Sequence, residues 1–329
     1  VPRSTAFGLL LALVSAAAFA TSGSLAKGLL AAGWSPGAAV TWRVAIGAAA
    51  LAVPGILAMR GRWRRLRRGW PSVVLFGLLA VAGAQLAFFL AIGRLSVGVA
   101  LLLEYCGVVL VVLWLWLRRG QRPKPLTLIG ATVAIAGLVL VLNVFGAATI
   151  DLVGAMWGLV AATGLAAYFV ISADERHDLP AMFVAAGGLA VGAVTLALAG
   201  ALGILDMRWA PTDVTLAGAT LPWWLDVAAM GLVAAALAYG SGIMANRVLG
   251  SKLASFVGLL EVLFAILWAR LLVAEMPAGP QLLGGALIML GVVIVRLDER
   301  PRARVAVAPA QPGASSSSET GGADTVPAK

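Results

Sequence analysis

Two acidic residues stand where acids are rarely kept. Glu104 lies in Leu101-Leu102-Leu103-Glu104-Tyr105-Cys106-Gly107, inside an apolar run from about Val97 to Arg118, and Glu261 follows Leu259-Leu260 in a run from Leu253 to Ala274. A carboxylate at membrane depth costs roughly 2.5–3.5 kcal/mol on insertion scales, so it is retained for a partner or a task. Either acid can bind and release a proton as its access to water changes. Arg43 sits about a third of the way into another apolar run, approached by Glu104 from the same face. Together they are expected to pair; opened, Arg43 offers a fixed cation to an anionic group such as a carboxylate. Gln85, Tyr105, Tyr168, Tyr239 and Asn246 are the other polar groups near membrane depth. Tyr105 and Tyr168 divide evenly between a cavity and the lipid interface, Lys27 snorkels to its near surface, and Arg270 reaches the interface or pairs with Glu275. His177 belongs to the solvated stretch Asp174-Glu175-Arg176-His177-Asp178 and is neither ligand nor base. The sequence contains no HExxH, Walker loop, Cys/His cluster or nucleophile beside a histidine, so hydrolysis, ATP use and metal catalysis have no candidates. No enzyme activity, metal or cofactor is expected.

The elements that must hold these residues are transmembrane helices. Hydrophobic residues make up 61% of the chain and charged residues 12%, against about a quarter charged in a soluble domain. About 20 apolar residues cross the hydrocarbon core. That ruler marks ten spans, at about 6–27, 36–59, 71–92, 97–117, 125–145, 153–173, 180–204, 221–246, 253–274 and 279–297. The first run continues past signal-peptide length, so no cleaved leader is expected. Short Pro- and Gly-marked turns join the spans, except for a longer polar connector from Asp206 to Leu221 that ends near the Trp223-Trp224 pair, read as interfacial.

The net charge of +10 is concentrated between apolar runs, at Arg60–Arg68, at Arg118, Arg119, Arg122 and Lys124, and beyond Arg296. Alternate connections hold only Lys27, Arg94 and Arg208. By the positive-inside rule both termini are cytoplasmic. The basic clusters are topology anchors, and nucleic acid is not a partner. Trp114 and Trp116 read as an interfacial belt, and the Pro-, Ala- and Ser-rich tail from Pro301 as disordered.

The halves repeat. Gly8 falls on Gly154, Glu104 on Glu261, Gln85 on Tyr239, and Gly130 and Gly137 on Gly284 and Gly291. Five spans per copy is odd, so the second copy enters the membrane from the opposite side, which places a solute path near the midplane between the copies. Each Glu then lies roughly 10–12 Å from its own face of the membrane. Cavity lining follows for Gln85 and Tyr239. Stripes of small residues, such as Gly130, Ala134 and Gly137, are read as helix packing. The expected domains are residues 1–147 and 148–300, one repeat each, and 301–329, a cytoplasmic tail.

These features resemble the EamA family of the drug/metabolite transporter superfamily over residues 6–297. The resemblance rests on the span count, the duplicated Leu-Leu-Glu at 102–104 and 259–261, and Gly250-Ser251-Lys252-Leu253-Ala254-Ser255. Glu275, Arg43 and the Gly-rich openings at Ile129-Gly130-Ala131 and Leu283-Gly284-Gly285-Ala286 add to it. Leu103-Glu104-Tyr105 is nearest to the threonine/homoserine exporter branch. The family often has Pro directly after each Glu; here Tyr105 and Val262 stand there, and the Gly-Glu motif survives only around Glu275. The resemblance implies an all-α, ten-helix inner-membrane carrier without ATP, exporting small metabolites, particularly amino acids, by alternating access. Its expected partners are a small-molecule substrate, the lipid bilayer, a coupling proton and a second copy of the chain in a homodimer. A proton-coupled multidrug exporter, a membrane-embedded enzyme and a non-transporting scaffold are the competing readings.

Overall fold

The computed structural model describes residues 5–107, 109–110, 117, 125–141, 151–172, 179–258, 260–276 and 278–298. Nearly all of them are helical: α1 (Thr5–Ala31), α2 (Pro36–Met59), α3 (Trp63–Ile92), α4 (Val97–Tyr105), α5 (Pro125–Val141), α6 (Leu152–Ser172), α7 (Ala181–Ala201), α8 (223–258), α9 (Leu260–Leu272) and α10 (Gly279–Asp298). Among the described residues, α1, α2, α3, α6, α7 and the Trp223–Leu249 part of α8 are long and apolar enough to cross a membrane. Shorter apolar stretches run over Leu128–Leu140 and Leu282–Gly291. Helices suit such a chain because each satisfies its own backbone polar groups where water is absent.

Several helix starts are written locally. Gly33 turns the chain at φ +98°, Ser35 then caps α2 by accepting from the Ala38 N–H at 3.2 Å, and Pro36 occupies the first helical position, where a missing N–H costs nothing. Ser96 caps α4 in the same way, accepting from the Val99 N–H. Asp151 caps α6, its Oδ1 accepting from the Gly154 N–H at 2.8 Å, and also pairs with Arg94 at 3.1 Å.

The connector expected between Asp206 and Leu221 folds into a hairpin, β1 (Val214–Leu216) paired antiparallel with β2 (Ala219–Leu221). Its turn residues Ala217 and Gly218 both have positive φ, the geometry of a tight two-residue hairpin turn. The alternation Val214-Thr215-Leu216 buries Val and Leu and exposes Thr, a strand signal that the polar residues around it obscured. Of the two tryptophans that follow, Trp224 is exposed, whereas Trp223 packs at a tilt against Trp34 and Trp209, with ring separations of 5.8 and 5.9 Å. We call this the hairpin end of the bundle and the side of the Arg60–Arg68 turn the basic end.

Two expected boundaries move. The turn expected around Arg247–Lys252 is helical, and α8 runs on to Gly258; a single Gly250 costs a helix only about 1 kcal/mol. The span expected over 97–117 is interrupted at Cys106, two residues after Glu104, although no proline follows, and residues 107, 109, 110 and 117 are helical again. Just beyond the interruption the Gly107 backbone lies against the Ala162 carbonyl of α6 with no room for a side chain. The belt at Trp114 and Trp116, the basic residues Arg118, Arg119, Arg122 and Lys124, the His177 loop and the tail lie outside the described residues.

Close packing comes from small residues. A Cβ on Gly137 of α5 would lie 2.5 Å from the Gly284 carbonyl of α10 and 2.7 Å from the Ile288 nitrogen; reciprocally, Gly291 faces Gly130 and Ala134. A similar reciprocity links α2 to α8 and α7 to α3. Gly231 packs on Ile46 and the Arg43 carbonyl as Gly77 packs on Val191 and the Gly188 carbonyl.

Gly137→Val should therefore lower stability by at least about 1–3 kcal/mol, read as thermal unfolding in detergent, whereas Gly279→Ala, which meets nothing within 4 Å, should be near neutral. The Gly154 N–H, helped by Arg94, holds the Asp151 carboxyl below the usual carboxylate range. A lowered folded value means the cap is intact above the ordinary range and is lost as pH falls through the lowered one. Protection of the amides at the start of α6, corrected for the intrinsic pH dependence of exchange, should fall only on such acidification, and in Asp151→Ala it should be low at every pH.

Candidate functional site

The site forms where α3 and α8 each widen. Residues Phe76–Gly83 of α3 and Leu232–Leu237 of α8 are π-helical, a turn that loosens the regular backbone ladder and often marks function. In each stretch a carbonyl accepts from a side chain elsewhere. The Ala234 carbonyl accepts from the Arg43 guanidinium at 2.5 Å, and the Ala80 carbonyl from the Tyr239 hydroxyl at 3.2 Å. Ala80 and Ala234 are 154 residues apart, the same offset that lays Gln85 on Tyr239.

Arg43 is 0% exposed. Besides the Ala234 carbonyl it donates to Gln85 Oε1 and stands 5.7 Å from the centre of the Phe89 ring; its Nε has no partner among the described residues. The expected ion pair with Glu104 is not formed; the guanidinium turns to the Gln85 amide oxygen and the loosened turn of α8 instead. Glu104, 7% exposed, faces the interior space instead. Glu261 lies in the first turn of α9, with its Oε2 3.1 Å from the Tyr105 hydroxyl, which is also 2.6 Å from the Gly258 carbonyl where α8 ends.

Two cavities share Phe19, Gln85, Glu104 and Glu261. The larger, about 70 Å³, is also lined by Tyr105, Tyr168, Tyr239 and, toward the basic end, Ala12 and Asn246. At ~10–15 Å³ per water it has room for several waters. The smaller, about 20 Å³, adds Arg43, Ser22 and Phe88 on the side of the hairpin end. All seven residues singled out from the sequence thus reach one connected wall. The sequence reading missed Phe19 and Ser15 of α1 and Phe76 of α3. Phe19 meets Tyr239 edge-on at 4.8 Å and Tyr168 at 6.3 Å, and Phe76 meets Tyr168 at 5.8 Å. Nothing in a run of apolar residues distinguishes an inward Phe from an outward one; only the contacts of α1 do. Gly242 leaves the space that the Ser15 and Tyr168 hydroxyls occupy, as a Cβ there would lie 2.6 and 2.7 Å from them.

The hairpin end is closed. Lys27 does not snorkel but forms an ion pair with Glu275, whose other oxygen accepts from the Val97 N–H at 3.2 Å, so α1, α4 and the segment after α9 are tied together. Glu275 is thereby taken, and Arg270 is exposed. The hairpin adds a second tie, the Ala217 N–H donating to the Leu272 carbonyl, and Ser35 and Trp34 bind carbonyls of Asp206, Arg208 and Ala210.

An apolar helical bundle with buried carboxylates and a guanidinium around an interior space defines a multi-pass membrane protein built to pass a solute. The chain belongs to the EamA-like transporter family, whose sequence profile matches residues 6–143 and again 152–297. It is therefore a membrane transporter, not an enzyme, with a small-molecule substrate and the bilayer as its partners. Among relatives, it is 24% identical over 237 residues, 71% of this chain and 76% of the other, to the uncharacterized inner membrane transporter YicL of Salmonella typhimurium. A crystal structure at 24% identity superposes with a TM-score of 0.61 over 89% of this chain and 98% of its own, and so shares the fold.

Removing the Tyr239 hydroxyl takes that donor from the Ala80 carbonyl at the buried wall of the larger cavity. Tyr239→Phe should therefore cost about 1–3 kcal/mol, measured as thermal unfolding in detergent with the ring packing unchanged.

Proposed function

We propose that the protein exports a small polar or amphipathic metabolite, an amino acid or related compound, across the inner membrane by alternating access. The observation that carries this reading is the pair of adjoining cavities that share Glu104 and Glu261, the smaller lined also by Arg43, with the Lys27–Glu275 tie across the hairpin end. In this reading residues 1–147 and 148–300 are inverted repeats of five spans each, with 301–329 a cytoplasmic tail. Two features support the duplication, the double match of the family profile and the reciprocal contacts at the 154-residue offset, and an odd number of spans per copy is what would invert the second. The positive-inside rule puts the basic end and both termini in the cytoplasm, so the closed hairpin end is external and the cavity faces inward. Glu104, Glu261 and Arg43 are the polar residues that bind solute or couple its movement, with Gln85, Tyr105, Tyr168 and Tyr239 shaping the chamber. The Leu-Glu-Tyr of α4 favours a threonine- or homoserine-like solute, and a homodimer is the assembly proposed.

Charge balance supports a coupling proton. Two carboxylates share the walls with one guanidinium, so with both acids ionised the buried charges do not balance, and a proton or the ammonium group of a solute would make up the difference. The Tyr105 hydroxyl is consistent with a proton on Glu261, because its one hydrogen can serve only one of its two neighbours, the Gly258 carbonyl or Glu261. Exchange of proton for solute at this site would drive export from the external proton supply. The edge-on wall of Phe19, Tyr168 and Tyr239 favours a second reading, a proton-coupled multidrug exporter that stacks flat cations.

Counterflow in proteoliposomes, with labelled amino acids or a flat organic cation and with or without a pH gradient, separates the two. Glu104→Gln should lower flux by about tenfold or more, as expected when ~1.4 kcal/mol of coupling is removed, with insertion and unfolding temperature unchanged. Normal flux in that variant would end the role given to Glu104.

A further inference from the structure

Asp226 is the one carboxylate inside a membrane-length helix of the described residues that the chamber does not use. It occupies the first turn of α8 at the hairpin end, is 2% exposed, and neither of its oxygens has a hydrogen-bond partner among the described residues. It faces a notch in α1 made by Gly28. A methyl built on Gly28 would lie 3.4 Å from Asp226 Oδ2, 2.6 Å from Val214 Cγ1 and 3.0 Å from Leu216 Cδ2. The hairpin thus lies over the carboxyl with its two buried aliphatic side chains, and the Ala217–Leu272 bond holds it there.

The charged groups of the packed elements are already engaged or turned outward. Lys27 of α1 is held by Glu275, and Arg43 of α2 by Gln85 and the Ala234 carbonyl. In the connector, Asp206 pairs with Arg208 at the surface and Asp213 is exposed. An ionised carboxylate enclosed by aliphatics with no donor in reach is far costlier than the neutral acid. A metal ion does not fit either, since hard cations take about six oxygen ligands and this notch provides one side chain with oxygens. A helix N-terminus favours a negative charge nearby, yet no backbone N–H of α8 donates to this one.

We propose that Asp226 is a proton-binding site that governs opening of the hairpin end. With its proton bound, the acid stays in the dry notch and the hairpin lies down on α1 and α8. Transfer of the proton to water leaves a carboxylate that must be hydrated, and water reaches it only when Val214 and Leu216 lift away. That lifting unties the hairpin end, on the side of the smaller cavity that Ser22 and Arg43 line. The inference rests on the transporter reading only in treating this opening as the external one.

Two measurements on the intact chain in lipid nanodiscs test it. Carboxyl-¹³C labelling of aspartate should reveal a protonated-acid carbonyl stretch at neutral pH that disappears in Asp226→Asn; Glu104 and Glu261 do not carry the label. Deuterium uptake of residues 212–222, corrected for the intrinsic pH dependence of exchange, should rise about tenfold or more between about pH 6 and about pH 9. In Asp226→Asn, which mimics the neutral acid, uptake should stay low throughout. Absence of the labelled band, or the same corrected pH dependence in the variant, overturns the proposal. Should the variant fail to fold, titration of the wild-type band together with the wild-type exchange profile decides. A protein with the band and the pH-dependent hairpin but no counterflow of any solute would sink the transporter reading alone, and counterflow without the band would sink only the proton site.

Discussion

A polar group carried into the hydrocarbon needs a partner inside the protein, and in this bundle the partners come largely from loosened helix turns. In a regular helix each carbonyl already holds a backbone N–H one turn along and offers a side chain only its second lone pair. The π-helical stretches Phe76–Gly83 and Leu232–Leu237 relax that arrangement, and Arg43 and Tyr239 donate to the Ala234 and Ala80 carbonyls. The end of α8 does the same at Gly258, whose carbonyl lies beside the Tyr105 hydroxyl. The chamber is polar because its helices are irregular there, and it can afford irregularity because the defects are filled from neighbouring helices.

Small residues supply the other half of the design. Without a hydrophobic drive between helices in lipid, packing depends on how closely backbones approach. Gly137 against Gly284, Gly107 against Ala162 and Gly47 against Ala235 each bring two helices to a separation that a side chain would forbid. These contacts hold the stretch just after α4 against α6 and α2 against α8, the helices that carry Glu104 and Arg43 among them.

Much of this was legible in the sequence, for identifiable reasons. Apolar run length determines helix positions, so α2 was bounded at 36–59 and α6 to within a residue. Ionisable residues in such runs are few, which is why Glu104, Glu261 and Arg43 could be picked out without coordinates. What could not be read is direction around the helix axis. Lys27 looked like a snorkelling residue because nothing in its own span reveals Glu275 beside it. Arg43 and Glu104 looked like a pair because charge is visible in a sequence and a released carbonyl is not. Phe19 was hidden among other apolar residues, and the hairpin was hidden because three-residue strands are too short for alternation to stand out from a polar connector.

The scaffold and the chemistry differ in symmetry. Gly231 packs on Arg43 and Ile46 as Gly77 packs on Gly188 and Val191, so the position that holds an arginine on α2 holds a glycine on α7. The carboxylates, in contrast, occur once in each half, in α4 and in α9. A backbone built from two matching halves can adopt two related arrangements of similar energy, which alternation between the two sides of a membrane requires. A single guanidinium set against two carboxylates prevents those arrangements from being equivalent for a charged solute. In the alternating-access reading proposed above, the matched glycines would let the backbone adopt both arrangements, and the unmatched arginine would make them differ in affinity, without which a solute could not shift the balance between them.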